Sequence, residues 1–517
     1  MRYLIRGGKT PYEMIPTEDY LSKNIMGSNC GNFMYLHGIV RTLMTDSSVG
    51  FQSTHYKYNY SADEIKKLNN TIDGFIIPLA DAFRDSFINE LKGLTRLVKE
   101  LNCPSYVIGV GVSAGAEQKF AEGSFGFEQE AKEFCDAVLE KSGQIGVRGA
   151  ETGRFLELLG YKEGEHFRII GCPSLYTFGR SLKIRDTAKT PDCNCAVNMS
   201  HAMAGREFSK NAAAQFRAPI YVPQLVAELQ TLYWGTAYKD YLSGKECDPD
   251  DPLFPSSLRD PFYAEDRVRF FVNVNDWVDF MKQQDLVFGT RLHGNITAVI
   301  AGAPSILMTK DTRMRELAAF HGLTNVDVND LPNYRDIWEI IESADFHSPE
   351  RKQAENFDNF IDFLHVNGLK TIYDDDPYRT DAPMDELIEQ NNVHNEIVSA
   401  VNISREETAE RMLSCVDFLR QRRKEINARV SQKDGSIKKL RAEIADKKKT
   451  IAKRDETIAK RDETIAKRDK TIESKNGEIE KLKAKQARLE KILDCRSVKL
   501  SIKARNAVVP KGKRIKI

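Results

Sequence analysis

Long apolar runs are missing from this sequence of 517 residues. The longest run, residues 298–308, contains Gly302 and Pro304 and is too short to span a bilayer. The opening residues, MRYLIRGG, lack the apolar core of a secretory signal. Nine cysteines, scattered over a long chain, disfavour a disulfide framework. These absences predict a protein of a reducing compartment, the cytoplasm.

Several motifs of well-understood chemistry are also missing. The sequence contains neither a GxSxG nucleophile motif nor a Walker A motif. Gly109-Val110-Gly111 lacks the third glycine of a dinucleotide fingerprint. Cys193-Asn194-Cys195 has no matching cluster of His or Cys beside it. We therefore expect neither a resident metal nor a resident cofactor.

Aromatic residues are absent beyond Phe418, where the charge also changes sign. Residues 431–517 hold 28 Lys and Arg against 13 Asp and Glu, a net charge of +15, whereas residues 1–430 carry −14. The last segment, 495–517, has eight basic residues and no acidic one. A basic tail with interspersed apolar residues favours an anionic membrane surface, and a solvated disordered tail is the alternative. Without stacking aromatics, no nucleic-acid partner is expected.

Apolar runs alternate with amphipathic segments through most of the chain. The runs that predict buried parallel strands are residues 73–79, 106–112, 144–147, 167–170, 286–289 and 305–308. Residues 175–265 have no clear strand pattern. Strands that alternate with helices predict an α/β fold of two Rossmann-like lobes, with a ligand cleft at the carboxyl ends of the strands.

The same pattern divides the chain into five segments. We expect an N-terminal lobe over residues 1–175 and a C-terminal lobe over 176–380. A helical neck over 381–430, a heptad-repeat helix over 431–494 and a basic tail over 495–517 follow.

A seven-residue repeat dominates the fourth segment. TIAKRDE occurs at 450–456 and 457–463, TIAKRDK follows at 464–470, and isoleucine recurs every seven residues from Ile437 to Ile479. This spacing is typical of a coiled coil. Most d positions are Lys or Arg, so each heptad buries roughly half the seam of a regular zipper. The pattern predicts weak self-association, and a solvated helix acting as a spacer fits it equally well.

The segment Arg291-Leu292-His293-Gly294 lies where a predicted strand turns into a helix. Backbone N–H groups at such a helix start bind anions, and an arginine adds a bidentate contact. The His293 imidazole titrates near neutrality and can donate a proton. The alternative is a histidine that only caps or packs a loop.

Two further strand ends or loops carry candidate residues. Arg148 follows the strand 144–147 and is either a second anion contact or a surface charge. Asn29, Gly31 and Asn32 belong to a loop rich in glycine and asparagine before an apolar helix. Such a loop presents donors to a hydroxylated or phosphorylated ligand, or it is a plain turn with an asparagine cap.

These segments together resemble the polysaccharide pyruvyl transferase family over residues 20–325. The resemblance rests on the segments NCGN at 29–32, VIGVGVSA at 107–114, GVRGAETGRFLELLGY at 146–161, IGCPSL at 170–175, GTRLHGNITAVIAGAPSILM at 289–308 and DTRMREL at 311–317. It implies a fold like that of GT-B glycosyltransferases, with phosphoenolpyruvate as the donor. The family often has Asp where this chain has Asn32, so no acidic role carries over to that position.

The resemblance also implies a reaction and roles for residues. Pyruvate moves from phosphoenolpyruvate to two hydroxyls of a sugar, in a surface glycan or its lipid-linked precursor, and phosphate is released. His293 then corresponds to the acid/base residue, while Arg291, Leu292, Gly294 and Arg148 hold the donor. The basic tail would keep the enzyme at the inner membrane face. A glycosyltransferase that uses a nucleotide sugar and a non-catalytic scaffold are the alternatives.

Overall fold

The structure is a computed structural model that describes residues 1–46, 49–113, 120–200, 205–236, 253–394 and 396–516. The chain divides into two compact units, residues 1–418 and residues 419–517. Within the described part of the chain, no helix is both long and apolar enough to cross a lipid bilayer.

The first lobe is built on a sheet of seven strands. They are β1 Arg2–Ile5, β2 Gly50–Ser53, β3 Gly74–Pro78, β4 Asp81–Phe83, β5 Ser105–Val112, β6 Ile145–Val147 and β7 Phe167–Ile169. Their order is β2-β1-β3-β5-β6-β7, with β4 also beside β5, and every pairing is parallel. All eight residues of β5 are buried, because helices cover both faces of a central parallel strand.

The second lobe has a sheet of five strands. They are β8 Cys195–Asn198, β9 Ile220–Tyr221, β10 Leu286–Gly289, β11 Ser305–Thr309 and β12 Asn325–Asp327. The order β12-β11-β10-β8-β9 is again wholly parallel. Two parallel-sheet lobes therefore confirm the predicted α/β class. Two of the strands, β8 and β9, lie in the stretch where the sequence pattern indicated none.

Seventeen α-helices occur among the described residues. They are α1 Thr17–Ser22, α2 Asn32–Leu43, α3 Ala62–Asn69, α4 Ile88–Glu100, α5 Glu128–Leu139, α6 Ala150–Leu158, α7 Arg206–Ala213, α8 Val226–Trp234, α9 Pro261–Ala264, α10 Val274–Met281, α11 Leu292–Ile300, α12 Thr312–His321, α13 Ile337–Ser343, α14 Ser348–Val366, α15 Pro383–Gln390, α16 Arg405–Asp494 and α17 Arg496–Val508. Helix α11 begins directly after Arg291, so Leu292, His293 and Gly294 lie in its first turn.

The end of the predicted second lobe packs on the first lobe as well as on the second. Phe357, Phe360 and Phe363 of α14 share one core with Tyr3 and Ile5 of β1. The aromatic face of α14 covers a sheet surface that would otherwise meet water, so the chain crosses back after β12. The boundary predicted at residue 380 therefore does not match the packing.

The predicted neck is also not one continuous helix. Helix α15 ends at Gln390, and α16 begins only at Arg405. Arg411 of α16 is buried because its guanidinium stacks on Tyr233, 3.8 Å from the ring centroid, and donates to the Val398 carbonyl. Helix α16 then runs to Asp494, which confirms the predicted long C-terminal helix.

A buried arginine on α2 ties three parts of the first unit together. Nε and Nη2 of Arg41 form a bidentate pair with Asp385 of α15, at 3.0 and 2.8 Å. Nη1 donates to the Thr177 carbonyl at 3.0 Å. Only 1% of Arg41 is exposed, so its removal would leave a carboxylate and a buried carbonyl without their donor.

We expect Arg41→Met to lower the free energy of unfolding by about 2 kcal/mol, because Asp385 and the buried Thr177 carbonyl lose their hydrogen bonds from the buried guanidinium. The matched control is Arg180→Met, which removes the exposed bidentate pair with Asp358 and should cost less than about 1 kcal/mol. Urea unfolding followed by tryptophan fluorescence measures both. Equal midpoints for the two variants would contradict the assignment.

Candidate functional site

A cleft of about 790 Å³ lies where strands of both sheets end. Arg6 follows β1, Leu79 follows β3, Arg148 follows β6, Thr290 follows β10 and Lys310 follows β11, and all five line it. Parallel sheets present their loops at these carboxyl ends, where ligands of open α/β folds bind. The cleft therefore lies at the carboxyl ends of the strands, where the sequence pattern predicted a ligand cleft.

Positive charge dominates the lining of this cleft. Its basic side chains are Arg6, Lys57, Arg84, Arg148, Arg291, Lys310 and Arg313. The only carboxylates that line it are those of Asp81 and Glu90, among the residues that the structure describes. Seven cations against two anions suit a ligand with several negative charges.

Arg148 is fully buried at the floor of the cleft. Its Nε donates to the Gly109 carbonyl at 2.6 Å and its Nη2 to the Leu79 carbonyl at 3.1 Å. Nη1 lies 3.4 Å from Sγ of Cys172. No carboxylate of the described chain forms an ion pair with Arg148, so its charge adds to the field of the cleft without local neutralisation.

Tyr35 of α2 contacts several of the charged or titratable residues at the floor of the cleft. The guanidinium carbon of Arg148 lies 5.5 Å from the centroid of its ring, and the His293 ring lies 5.8 Å away. Arg6 is the third neighbour of Tyr35, and its Nε donates to the Tyr58 hydroxyl at 2.9 Å. Burial raises the pKa of Tyr35, so its hydroxyl stays protonated and remains a hydrogen-bond donor.

His293 lies in the first turn of α11 and is almost completely buried. Burial lowers the pKa of His293 well below its ordinary value of 6.5, and the charges of Arg148 and Arg313 lower it further. Its Nε2 has no hydrogen-bond partner in the described structure. This neutral imidazole nitrogen is buried next to the cleft and lacks the hydrogen bond that a buried polar atom ordinarily makes.

The asparagine-rich loop of the first lobe holds this imidazole in place. A Cβ at Gly31 would lie 2.7 Å from Nδ1 of His293, so only glycine allows the loop to approach so closely. The Cys30 N–H donates to the Gln224 carbonyl at 2.9 Å, and Asn29 pairs with Leu225 as an isolated bridge. The loop thus joins the two lobes at the site.

Asn29, Asn32 and Leu292 line the cleft as well. Nδ2 of Asn32 donates to the Met26 carbonyl at 2.9 Å, which fixes its side chain within the loop. Gly294 lies against the side-chain amides of Gln224 and Asn198, whose nitrogens have no hydrogen-bond partner among the described residues. The structure therefore brings the predicted loop and the RLHG segment together, whereas their chemical roles stay predictions.

Arg291 differs from the prediction in one respect. Its Nη2 lies 3.0 Å from Oε1 of Glu228, and its Nε donates to the Met199 carbonyl at 2.7 Å. Glu228 is 2% exposed, so the pair is buried and its charges largely cancel. Sequence reasoning missed this because Glu228 lies in the segment with no readable pattern. The net positive field of the cleft thus comes from other residues.

Arg6, Lys57, Arg84, Lys310 and Arg313 were not predicted as ligands. The signal for Arg6 was present, because Tyr3-Leu4-Ile5 is a short apolar run followed by Arg and two glycines. Arg313 belongs to a helix start where Asp311 caps α12. Its Nη1 and Nη2 lie 3.3 Å from Asp81 and Asp311 respectively, which orients the guanidinium across the cleft.

A buried carboxylate forms a second link between the lobes. Oε2 and Oε1 of Glu316 on α12 accept from the N–H and the hydroxyl of Thr152 on α6, at 3.1 and 2.9 Å. Burial raises the pKa of Glu316 to about 7, although these hydrogen bonds oppose the shift. The described residues contain no group of three or more His, Cys, Asp or Glu that could hold a metal ion.

We expect the His293 imidazole to titrate well below pH 6.5, because it is buried beside two arginines. Arg313→Met should raise its pKa toward the ordinary value by removing one of these charges. Histidine-selective NMR across pH 4 to 8 measures both, with His293→Gln to assign the signal. Exposed His347 is the internal control, because Glu350 and Asp186 raise its pKa. A wild-type His293 that titrates at or above 6.5 would contradict the described burial.

Solved structures with related backbones are distant from this chain. UDP-GlcNAc 2-epimerase from Methanocaldococcus jannaschii, in complex with UDP-GlcNAc and UDP, matches 71% of this chain and 99% of its own, at 12% identity and a TM-score of 0.38. UDP-GlcNAc 2-epimerase from Neisseria meningitidis matches 71% of this chain and 100% of its own, at 11% identity and a TM-score of 0.33. The wall teichoic acid polymerase TagF matches 76% of this chain and 90% of its own, at 9% identity and a TM-score of 0.30. Similarities this low support no conclusion about chemistry.

Among curated proteins, none matches the sequence significantly. The sequence model of the polysaccharide pyruvyl transferase family matches residues 37–312, which is more than half of the chain. The matched region contains most of the first lobe and, in the second, the strands β8 to β11 with the RLHG helix start. This chain belongs to the polysaccharide pyruvyl transferase family.

Proposed function

We propose that this protein transfers pyruvate from phosphoenolpyruvate to two hydroxyls of a sugar, in a surface glycan or its lipid-linked precursor. The observation that carries the proposal is the cleft between the lobes, which is lined by an excess of basic side chains and by His293, with Arg148 and Arg313 close enough to lower the pKa of its imidazole. Membership of the family supports the same reaction class. As proposed, the reaction needs no resident cofactor.

The charge of the donor matches the charge of the cleft. Phosphoenolpyruvate carries a phosphate and a carboxylate, and each of them needs cationic or N–H-rich contacts. Arg6 and Arg148 have no carboxylate partner among the described residues, and Arg313 is nearly a quarter exposed. We assign the direct contacts to Arg6, Arg313 and the start of α11. Arg148, buried next to the Tyr35 ring, contributes positive electrostatic potential without touching the donor.

His293 supplies the proton in this proposal. Burial, together with the charges of Arg148 and Arg313, lowers the pKa of His293, so without a donor the imidazole is neutral. A bound donor brings negative charge next to the same imidazole, which opposes Arg148 and Arg313 and raises the pKa of His293. The imidazolium then forms only when there is a donor to protonate, which limits unproductive proton transfer.

The proposed reaction balances as follows. His293 delivers a proton to the methylene carbon, C3, and C2 becomes electrophilic. One sugar hydroxyl forms a bond to C2 and loses its proton. The bond from C2 to the phosphate oxygen then breaks, phosphate leaves, and the second hydroxyl adds to C2 and loses its proton. The products are a cyclic pyruvate ketal and inorganic phosphate.

One wall of the cleft suits a hydroxylated acceptor. Its polar residues include the amides of Asn24, Asn59 and Asn89 and the tyrosines Tyr56 and Tyr58. Amides donate and accept hydrogen bonds, and aromatic rings pack on the apolar faces of sugars. We place the acceptor sugar along this wall.

We expect His293→Gln to lower kcat by about 10²–10⁴-fold, because general acid catalysis is lost while the volume of the side chain is largely kept. Arg313→Met should mainly raise KM for phosphoenolpyruvate, by roughly tenfold or more, because a charge-assisted contact is lost. The assay measures phosphate release from phosphoenolpyruvate in the presence of a glycan panel, together with the mass of the glycans.

Arg154→Met is the control for these variants, since Arg154 is exposed on α6 and its one ion pair among the described residues is with Glu151. Full turnover by His293→Gln would remove His293 from the mechanism. Glycans that gain a sugar from a nucleotide sugar, with no phosphate released from phosphoenolpyruvate, would instead establish a glycosyltransferase.

We also propose that the basic tail holds the enzyme at the cytoplasmic face of the inner membrane. Helix α17 and the residues after it carry eight Lys and Arg, whereas Leu500 and Val508 are 63% and 86% exposed. Exposed apolar side chains among basic ones suit the boundary between lipid headgroups and acyl chains. A lipid-linked acceptor would be found at that surface.

Replacing Lys511, Lys513, Arg514 and Lys516 with Gln should weaken binding to anionic vesicles by on the order of 100-fold or more, because each basic residue contributes roughly 1 kcal/mol. Co-sedimentation with phosphatidylserine-containing vesicles at moderate salt measures this loss. Deletion of residues 431–517 should abolish binding yet leave donor chemistry intact. Replacement of four lysines in α16 with Gln is the control. Unchanged vesicle binding by the tail variant would refute the proposal.

A further inference from the structure

We propose that residues 430–493 of two copies of this chain pair as a parallel, in-register coiled coil. This inference concerns the assembly of the chain and stands independently of the proposed reaction. It rests on the spacing, exposure and charge of the residues along α16.

An unbroken apolar stripe runs along α16. Eight residues at intervals of seven form it: Val430, Ile437, Ile444, Ile451, Ile458, Ile465, Ile472 and Ile479. Each is between 46% and 57% exposed, although all eight are β-branched and apolar. A solvated spacer helix has no reason to keep such residues at a fixed interval. We call these eight residues the stripe.

The interval itself points to a supercoiled partner. A straight α-helix has 3.6 residues per turn, so a repeat of seven drifts by about 20° in each heptad. Over the seven intervals of the stripe the drift reaches roughly 140°, which would carry Ile479 to the other side of the helix from Val430. Only a left-handed supercoil around a second helix keeps all eight residues on one seam.

Simple duplication of a sequence unit does not explain the stripe. The three near-identical heptads cover only residues 450–470. Outside them most of the neighbouring residues change, as in IKKLRAE from Ile437 and IESKNGE from Ile472. The isoleucine is kept while the other six positions vary, so the stripe is a property of the helix surface itself.

The charges between the stripe residues complement a second copy. With the stripe at a positions, d positions hold Arg454, Arg461 and Arg468, and the adjacent e positions hold Asp455, Asp462 and Asp469. In a parallel dimer a d side chain packs next to the e residue of the facing helix, so each Arg meets an Asp of the other copy. The arginine stems cover the seam while their guanidinium groups pair at its edge.

Leucines at d positions determine the register. Leu440 lies on one side of the basic block, and Leu482 and Leu489 lie on the other. With zero shift each leucine faces its own copy, whereas a shift of one heptad places the two copies of Leu440 opposite Lys433 and Lys447. The identical central heptads would tolerate such a shift, but Leu440 does not.

The first test is the mass of the full chain in solution. Sedimentation over a range of concentrations should show reversible association toward twice the 58.7 kDa chain mass. Ile451→Gln, Ile458→Gln and Ile465→Gln together should raise the dissociation constant by at least about a hundredfold, because three buried apolar layers are lost. A wild-type chain that stays monomeric at every concentration would overturn the proposal.

The matched control places glutamine on a different face of the same helix. Ala452→Gln, Ala459→Gln and Ala466→Gln together introduce the same residue one position after each isoleucine and should leave association unchanged. Circular dichroism checks that both triple variants stay helical. Equal weakening by the two variants would show that the stripe is not the contact.

Cross-linking through a native cysteine tests whether the two helices pair in parallel. Cys495 is exposed and follows the last residue of α16. Parallel pairing brings the two copies of Cys495 together, so a short bis-maleimide should link them, and Cys495→Ser should abolish the link. Antiparallel pairing would separate these thiols by about 100 Å, at 1.5 Å per residue. A dimer that does not cross-link through Cys495 would overturn the parallel arrangement.

Discussion

The site depends on one close approach between the two lobes. The loop of the first lobe passes so near to α11 of the second that a side chain at Gly31 would collide with His293. The Cys30 N–H bound to the Gln224 carbonyl holds the loop there. Because the loop closes over the imidazole, His293 is buried, and burial is the main reason for its low pKa. The position of His293 and its low pKa thus both result from the close approach of the loop.

The electrostatics of the cleft follow from that burial. Arg148 lies at its floor without a carboxylate partner in the described chain, and its charge lowers the pKa of His293 while opposing the raised pKa of Glu316. A buried positive charge that has no carboxylate partner favours the binding of an anion nearby. The anionic donor would supply the missing charge, which links binding to the activation of His293.

The two units carry different features. The first unit contains the whole cleft, and the second contains the stripe and the basic tail. Parallel pairing would bring two tails out at the same end of one coiled coil. Two weak contacts with one surface bind far more tightly than either alone, because the second contact is made at a high effective concentration.

Local patterns in the sequence determined the α/β class, six of the twelve strands found in the described residues, the long C-terminal helix and the position of the RLHG segment at a strand end. These features depend on residues within one or two turns of each other. Only the tertiary structure decided that Glu228 neutralises Arg291, that Arg6 reaches the cleft and that α14 returns to the first lobe. Such contacts join residues tens to hundreds of positions apart, and their free energy comes from burial and charge pairing that no local pattern records.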